Sequence, residues 1–145
     1  IVQIVKMNLK IQLVKTNKEY DDILEIRKKV FVEEQNVPIS IEIEYENDSN
    51  HVICYVDKTP VGTGRWRKTS SGVKLERFAV LSNYRNKGVG TEIVNFILSE
   101  ISPDNTIYLH AQDAVVNFYK RLGFVISGKN FFEANISHHK MVYKN

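Results

Sequence analysis

The apolar residues recur with two different periods along the chain, and each period predicts one kind of element. Apolar residues three or four positions apart favour amphipathic helices over 18–35, after Gly90 and over 113–123. Between these helices lie short β-prone runs bounded by turn residues, a pattern typical of strands. The strand-like runs are LKIQLVK, HVICYV, VGTGRWRK, VKLERFAV, TIYLHA, FVIS and ISHHKMVY.

The order of these elements predicts the fold class. It is β-α-β-β-β-α-β-α-β-β, which indicates one mixed sheet with helices on its faces. The turn-rich separators DKTP and TSSG join three consecutive strands, so an antiparallel meander is expected there. At the element ends, Thr16 with Glu19 fits a capping box, and Gly123 stands at the C′ position of a helix. The segment 36–50 is predicted to be a polar connection.

The length of 145 residues suits one domain with a single hydrophobic core. We place this domain at 7–145, because Met7 is a candidate for the natural initiator. Residues 1–6 are then an N-terminal extension or a cloning remnant. The opening run lacks the basic n-region, the sustained apolar stretch and the small-residue cleavage site of a signal peptide.

The composition is that of an ordinary globular protein, with 43% hydrophobic residues, 26% charged residues and a net charge of +3. This mild charge does not argue for a nucleic-acid partner. No apolar run approaches the roughly 20 residues that span a bilayer, so no membrane partner is expected. Cys54 is the only cysteine, which excludes an internal disulfide and fits a reducing, cytoplasmic setting.

The stretch NYRNKGVG, residues 83–90, lies between a predicted strand and a predicted helix. A helix N-terminus offers unpaired N–H groups, and Gly88 and Gly90 lack the Cβ atoms that would keep an anion away. Arg85 and Lys87 add positive charge. The stretch therefore predicts a polyphosphate site, although it matches neither GxxxxGK[ST] nor GxGxxG, since Ile93 occupies the third glycine position.

What remains, Arg85-x-x-Gly88-x-Gly90, resembles the acetyl-CoA motif R/Q-x-x-G-x-G/A of the GNAT superfamily of N-acetyltransferases. The strings ERFAVLSNYRNKGVG and LHAQDAVVNFYKRLGF also resemble that family. RKKVFVEEQNVP and FFEANISHHKM resemble a bacterial subgroup called ElaA-like or YjcF-like. Asn86 and Asn135 stand where the subgroup usually has glycine, and asparagine tolerates left-handed backbone.

The resemblance covers most of the chain and implies a fold and a cosubstrate. The fold is α/β (α+β), a mixed, mainly antiparallel central sheet of about seven strands with helices on both faces. The cosubstrate is acetyl-CoA, whose thioester carbonyl would be polarised by backbone N–H groups, and no metal is implied. The residues implied to bind it are Phe78, Ala79, Val80, Arg85, Asn86, Lys87, Gly88, Val89, Gly90, Thr91 and Asn117.

The reaction implied is direct attack of an amine on the thioester, which needs a base and an acid. By the family pattern Tyr119 is the acid that protonates the leaving thiolate; the alternative is a tyrosine packed in the core. Glu76 is the first choice for the base, and its alternative is a cross-strand ion pair with Arg65 or Arg67. Water and His110 are further candidates for the base.

The acceptor is a small-molecule or protein amine. Four acids, Glu42, Glu44, Glu46 and Asp48, could attract a cationic amine to the site, with Glu42 and Glu44 as the candidate contacts. The alternative is a solvated loop.

Other functions follow from weaker signals. A non-catalytic acyl-CoA sensor or partner module would keep the glycine loop but would not need Tyr119. His138 and His139 are neighbours on a strand, so they point to opposite faces and cannot chelate one metal together. A homodimer is common among similar proteins, and the sequence leaves the oligomeric state open. A nucleic-acid site is disfavoured; it would use Arg65, Arg67, Lys68, Arg85 and Lys87.

Overall fold

A computed structural model of the chain describes residues 8–144, with the side chains of Ser40 and Ile41 excepted. The predicted N-terminal extension 1–6 and Met7 lie outside these residues.

Within residues 8–144, the strands form one sheet of eight. Its order is β1-β2-β3-β4-β5-β8-β6, and β7 pairs with the remaining length of β8. Every pairing is antiparallel except β4 with β5, which is parallel. The mixed, mainly antiparallel sheet is thus confirmed, with β7 as an additional strand. The strands are β1 Leu9–Leu13, β2 Asn50–Val56, β3 Thr59–Thr69, β4 Gly72–Val80, β5 Ile107–Gln112, β6 Phe124–Ile126, β7 Phe131–Glu133 and β8 Ile136–Tyr143.

Helices cover both faces of the sheet. The predicted helix 18–35 divides into α1 and a π-helical segment, and the predicted polar connection 36–50 contains the short helix α2. Within residues 8–144, no helix has the length and apolar character needed to cross a membrane. The helical segments are α1 Asn17–Arg27, the π-helical segment Lys28–Glu34, α2 Ile39–Glu42, α3 Val89–Glu100 and α4 Val116–Arg121, with 3-10 turns at Glu46–Asp48, Ser82–Tyr84 and Asp113–Val115.

Two of the predicted helix ends are confirmed. The Thr16 hydroxyl accepts a bond from the Glu19 backbone N–H at 3.1 Å, and the Glu19 carboxylate accepts one from the Thr16 N–H at 3.0 Å. This capping box satisfies two of the donors that a helix N-terminus leaves open. Gly123 has φ +102°, the left-handed conformation expected just beyond the end of α4.

The main core lies between the sheet and α3. Ile93 and Ile97 of α3 are fully buried, and truncating such a residue to alanine typically costs about 2–5 kcal/mol. Gly62 of β3 permits this close packing, because a Cβ there would lie 2.7 Å from Ile93 Cδ1. Cys54 belongs to the same core, and burial raises the pKa of its thiol to about 11, with a smaller contribution from Glu92. A smaller cluster around Ile26, Val30 and Ala79 joins the opposite face to α1.

Candidate active site

β4 and β5 pair over only three positions and then separate. Val73–Leu75 pairs with 107–109, whereas β4 continues to Val80 and β5 to Gln112. The gap between the separated ends opens into a cavity of about 570 Å³. It is lined from both sides of the gap by residues that include Phe31, Glu76, Phe78, His110, Tyr119 and His138.

A bulge in β4 shapes the edge of this gap. Thr63 pairs with Ala79 and Arg65 with Glu76, so Gly64 alone faces two residues, 77 and 78. Arg77 takes φ +58°, which bends the strand at that point. A Cβ on Gly64 would lie 2.8 Å from the Phe78 ring, so the glycine leaves room for that ring. The predicted oxyanion donors, the N–H groups of Phe78 to Val80, lie on the stretch that β5 does not cover.

The glycine loop leads from β4 into α3 as expected. Gly88 caps α3 with φ +87°, and Asn86 takes φ +61° in the place of the subgroup's glycine. The first intrahelical bond runs from the Glu92 N–H to the Gly88 carbonyl at 3.1 Å. The N–H groups of Val89, Gly90 and Thr91 therefore precede that bond and can serve an anion.

The cations of the loop are already partly engaged. Arg85 donates from Nε to the Val80 carbonyl at 2.8 Å and from Nη2 to both carboxylate oxygens of Glu34 at 3.0 Å. The Arg85–Glu34 pair thus ties the loop to the end of the π-helical segment. Lys87 is exposed, with its Nζ 5.9 Å from the centre of the Tyr84 ring.

Tyr119 lies on α4 between the core and the cavity. Its side chain is only 7% exposed and packs among the rings of Phe78, Phe118 and Phe124. Burial raises the pKa of the phenol, so it is protonated at neutral pH and is in the state a proton donor requires. Both sequence interpretations are therefore compatible with its place: it packs in the core and lines the cavity. Asn117, two residues earlier, is exposed.

Glu76 forms the cross-strand ion pair that was the alternative to its role as a base. Its carboxylate bonds Arg65, accepts from Arg67 Nε at 3.2 Å and lies 3.5 Å from Lys74 Nζ. Burial acts to raise the pKa of Glu76, but these cations outweigh it and lower the pKa to about 2. A carboxylate held this firmly in its ionised form is a weak base.

The acidic segment is solvated only in part, because Glu44 and Asp48 are exposed whereas Glu42 and Glu46 bond cations inside the protein. Glu42 is 4% exposed and accepts from Arg27 Nε at 2.5 Å. Glu46 accepts from Arg27 Nη1 at 2.7 Å and also bonds Arg65. Of the two candidate acceptor contacts, Glu42 is thus used inside the protein, and Glu44 is exposed where it lines the cavity.

We call this arrangement the buried charge network: Arg27, Glu42, Glu46, Arg65, Glu76, Arg67 and Lys74. This network was not predicted from the sequence, although one signal was present. Arg27 interrupts the apolar face of the first helix, and a charged residue at a buried position needs a partner of opposite charge. The nearby acids supply that partner.

The histidines divide between the cavity and its surroundings. His138 is 8% exposed and lines the cavity, with Nδ1 2.6 Å from the Ile136 carbonyl. Because a carbonyl oxygen only accepts, Nδ1 carries the hydrogen, and Nε2 of the neutral ring is free of one. His110, the weaker base candidate, donates from Nδ1 to Glu133 at 2.8 Å. His139 bonds Asp113 instead. This agrees with the expectation that His138 and His139 point to opposite faces of the sheet.

Proteins of known family share this sequence and architecture. The model of the family "Acetyltransferase (GNAT) domain" matches residues 15–145. The chain is 40% identical over 139 residues to the uncharacterized N-acetyltransferase YjcF of Bacillus subtilis (strain 168), covering 92% of this chain and 99% of that protein. It is 28% identical over 125 residues to protein ElaA of Escherichia coli (strain K12), covering 80% of this chain and 81% of that protein.

Two solved structures show the same fold. The crystal structure of Escherichia coli ElaA has a TM-score of 0.81 at 23% identity and covers 96% of this chain and 100% of that one. An aminoglycoside 6'-N-acetyltransferase complexed with coenzyme A has a TM-score of 0.75 at 20% identity, with 92% and 95% covered.

Proposed function

The chain belongs to the GNAT acetyltransferase family, and we propose that it transfers an acetyl group from acetyl-CoA to a primary amine by direct attack within a ternary complex. The observation that carries this proposal is the cavity between the separated ends of β4 and β5, with Tyr119 lining it. It lies beside the stretch of β4 that leads into the glycine loop.

The residues present suit acetyl-CoA as the cosubstrate. The open N–H groups at the start of α3 suit its pyrophosphate, and the left-handed Gly88 has no heavy atom within 4 Å of a Cβ position. The edge of β4 from Phe78 to Val80 suits the pantetheine arm. A backbone N–H there would stabilise the negative charge that develops on the thioester oxygen.

Proton transfer in this proposal uses Tyr119 as the acid and His138 as the base. Tyr119 is buried and protonated, so it can donate to the departing thiolate. The sequence analysis assigned the base to Glu76, but the low pKa and the cationic partners of that carboxylate favour another group. His138 lines the same cavity and has an unprotonated Nε2 in its neutral form, so it can accept the proton of the amine directly or through water.

The experiment is a thiol-release assay with acetyl-CoA and a panel of amines. Tyr119→Phe should lower kcat by about 10²–10⁴-fold, because general acid catalysis contributes on that order, while the Kd for CoA stays within about twofold. Tyr55→Phe is the matched control, since its hydroxyl lies on β2 near Asp22 and away from the cavity. An unchanged kcat for Tyr119→Phe would remove that residue from its role.

The base is tested by a neighbouring pair of variants. His138→Gln should lower kcat/KM by about 10²-fold or more, as loss of a general base would, whereas His139→Gln should retain it, because His139 bonds Asp113 outside the cavity. If Glu76→Gln lowered kcat/KM and His138→Gln did not, the base would be Glu76. Saturable acetyl-CoA binding without thiol release from any amine would favour the non-catalytic sensor.

A further inference from the structure

We infer that the acceptor amine carries an anionic group, a carboxylate or a phosphate, which Arg67 and Lys74 bind; this inference rests on the proposed function. Both side chains line the cavity and are nearly buried, at 14% and 15% exposed. A cation at such a position lies partly out of water, where an anion of the ligand binds it more strongly than at an open surface.

The buried charge network leaves these two cations underneutralised. Arg27 bonds Glu42 and Glu46, and Arg65 bonds Glu46 and Glu76. Besides Arg65, Glu76 pairs with Arg67 and Lys74. Among the residues that the structure describes, no other carboxylate forms an ion pair with either of these two cations. The network therefore contains four cations and three carboxylates, and the cations at its cavity end share the last carboxylate.

Both cations keep hydrogen-bonding capacity for a ligand. Lys74 has three donors, and its ion pair with Glu76 is long, at 3.5 Å. Arg67 contacts Glu76 through Nε at 3.2 Å, and its guanidinium lies 3.9 Å from the centre of the Tyr45 ring. Among the residues that the structure describes, none accepts a hydrogen bond from Arg67 Nη1 or Nη2. A carboxylate or phosphate fits that planar fork.

The phosphates of CoA do not account for these cations, because the two sites lie on opposite faces of the sheet. Gly62 and Gly64 of β3 face Ile93 of α3, so the alternating positions 65 and 67 face away from α3. Arg65 bonds Glu46 on that other face, and Arg67 and Lys74 join it through Glu76. The glycine loop begins α3 and belongs to the first face.

The remaining acids of the cavity neutralise this pair only in part, through the longer-range attraction between Glu133 and Lys74. Glu133 accepts from His110 at 2.8 Å, and Glu44 is exposed. Neither forms an ion pair with Arg67 or Lys74 within residues 8–144. They are instead suited to the positively charged amine end of the acceptor. An acceptor with an amine and an anionic group matches the acids and the cations that line this cavity.

The experiment compares four amines that share a two-carbon spacer: β-alanine, O-phosphoethanolamine, β-alaninamide and ethylenediamine. They place a carboxylate, a phosphate, a neutral amide and a second amine at similar distances from the reacting amine. The kcat/KM for thiol release is corrected for the fraction of neutral amine at the assay pH. We expect the better of the two anionic amines to exceed β-alaninamide by about 10-fold or more, as a charge-assisted hydrogen bond would give. Which anionic amine is better distinguishes carboxylate from phosphate.

The variants Lys74→Gln and Arg67→Gln should lower the preference for the anionic amine by about 10-fold, mainly through a higher KM for that amine. Lys68→Gln is the matched control, because Lys68 is an exposed cation of the same strand that does not line the cavity. It should retain the wild-type preference.

Calorimetric binding of the same amines in the presence of saturating CoA provides a readout that needs no turnover. Tighter binding of an anionic amine than of β-alaninamide, lost in Lys74→Gln, supports the inference even if no amine releases thiol. The absence of thiol release from every amine would contradict the proposed function and not this inference. The inference would be overturned if β-alaninamide and ethylenediamine bound and reacted as well as the anionic amines, or better. An unchanged preference in both variants would also overturn it. Neither result would contradict the proposed function.

Discussion

The two parts of the candidate site, the glycine loop and the cavity, are built in different ways. On the side of α3, backbone conformation makes the site: Gly88 is left-handed, Arg77 forms a bulge, and helical N–H groups are open. On the side of α1, side-chain charges make it, through the buried charge network. The first kind of site is local, within residues 76–91, and a short motif identifies it. The second joins residues up to 19 positions apart, and no motif contains it.

The largest effect is expected from breaking the network at its centre. Arg65 is 1% exposed and bonds both Glu46 and Glu76, so Arg65→Met leaves two nearly buried carboxylates without this partner. We expect the free energy of unfolding to fall by about 3–5 kcal/mol, measured by urea denaturation at pH 7. Lys68→Met, on the same strand and exposed, should change it by less than about 0.5 kcal/mol. A loss below about 1 kcal/mol for Arg65→Met would show that the carboxylates find other partners.

A low pH should reduce the stability that the buried charge network contributes. The pKa of Glu76 is about 2 in the folded protein, below its ordinary 4.5. The unfolded chain therefore binds this proton more readily, and the contribution of Glu76 is fully present above about pH 4.5 and lost as the pH falls towards 2. It amounts to roughly 3 kcal/mol. Urea denaturation at several pH values should show this loss, and Glu76→Gln should reduce the slope; equal slopes would contradict the assignment.

On the backbone side, Gly88→Ala should destabilise the protein by about 1–2 kcal/mol, because alanine is strained at φ +87°. It should also weaken CoA binding by about 10-fold, roughly in proportion to that strain. Gly128→Ala is the matched control: Gly128 has φ +91°, and it too has open space at its Cβ position. It should show a similar loss of stability with unchanged CoA affinity. If Gly88→Ala and Gly128→Ala bound CoA with the same affinity, Gly88 would have no specific role in binding CoA.

The smallest effect should come from the exposed ion pair that ties the two sides. Arg85 and Glu34 are 39% and 41% exposed, so Glu34→Gln should cost less than about 1 kcal/mol of stability. Releasing the guanidinium should strengthen CoA binding about threefold by calorimetry, an effect that 0.5 M salt should reduce. If neither Glu34→Gln nor Arg85→Gln alters the Kd for CoA, Arg85 is a structural tie alone.

The sequence predicted most of the sheet because its signals are local. Turn residues bound the meander, and the capping box at Thr16 depends on neighbours three positions apart. The π-helical segment was missed because apolar spacing in 28–34 resembles that of an α-helix. Helix α2 was missed because its four residues make little more than one turn, too short for the spacing of apolar residues to reveal. Strand β7, with three residues, is too short for periodicity to reveal.

The site divides in the same way. The glycine loop was predicted from residues 83–90, since the conformation of Gly88 and the start of α3 follow from neighbouring residues. The state of Glu76 could not be predicted, because it depends on which cations fold against it. Arg65 and Arg67 were correctly weighed as its partners; Lys74 and the second role of Glu46 emerge only when β3, β4 and the acidic segment come together.

The complete burial of Cys54 has a practical benefit for anyone measuring turnover. Aromatic disulfide reagents react with thiolates, and a thiol that is inaccessible to water and has a pKa of about 11 supplies almost none at pH 8. The folded enzyme should therefore give a flat colorimetric baseline even at high concentration. A slow drift in the blank would then report unfolding of β2 from the sheet.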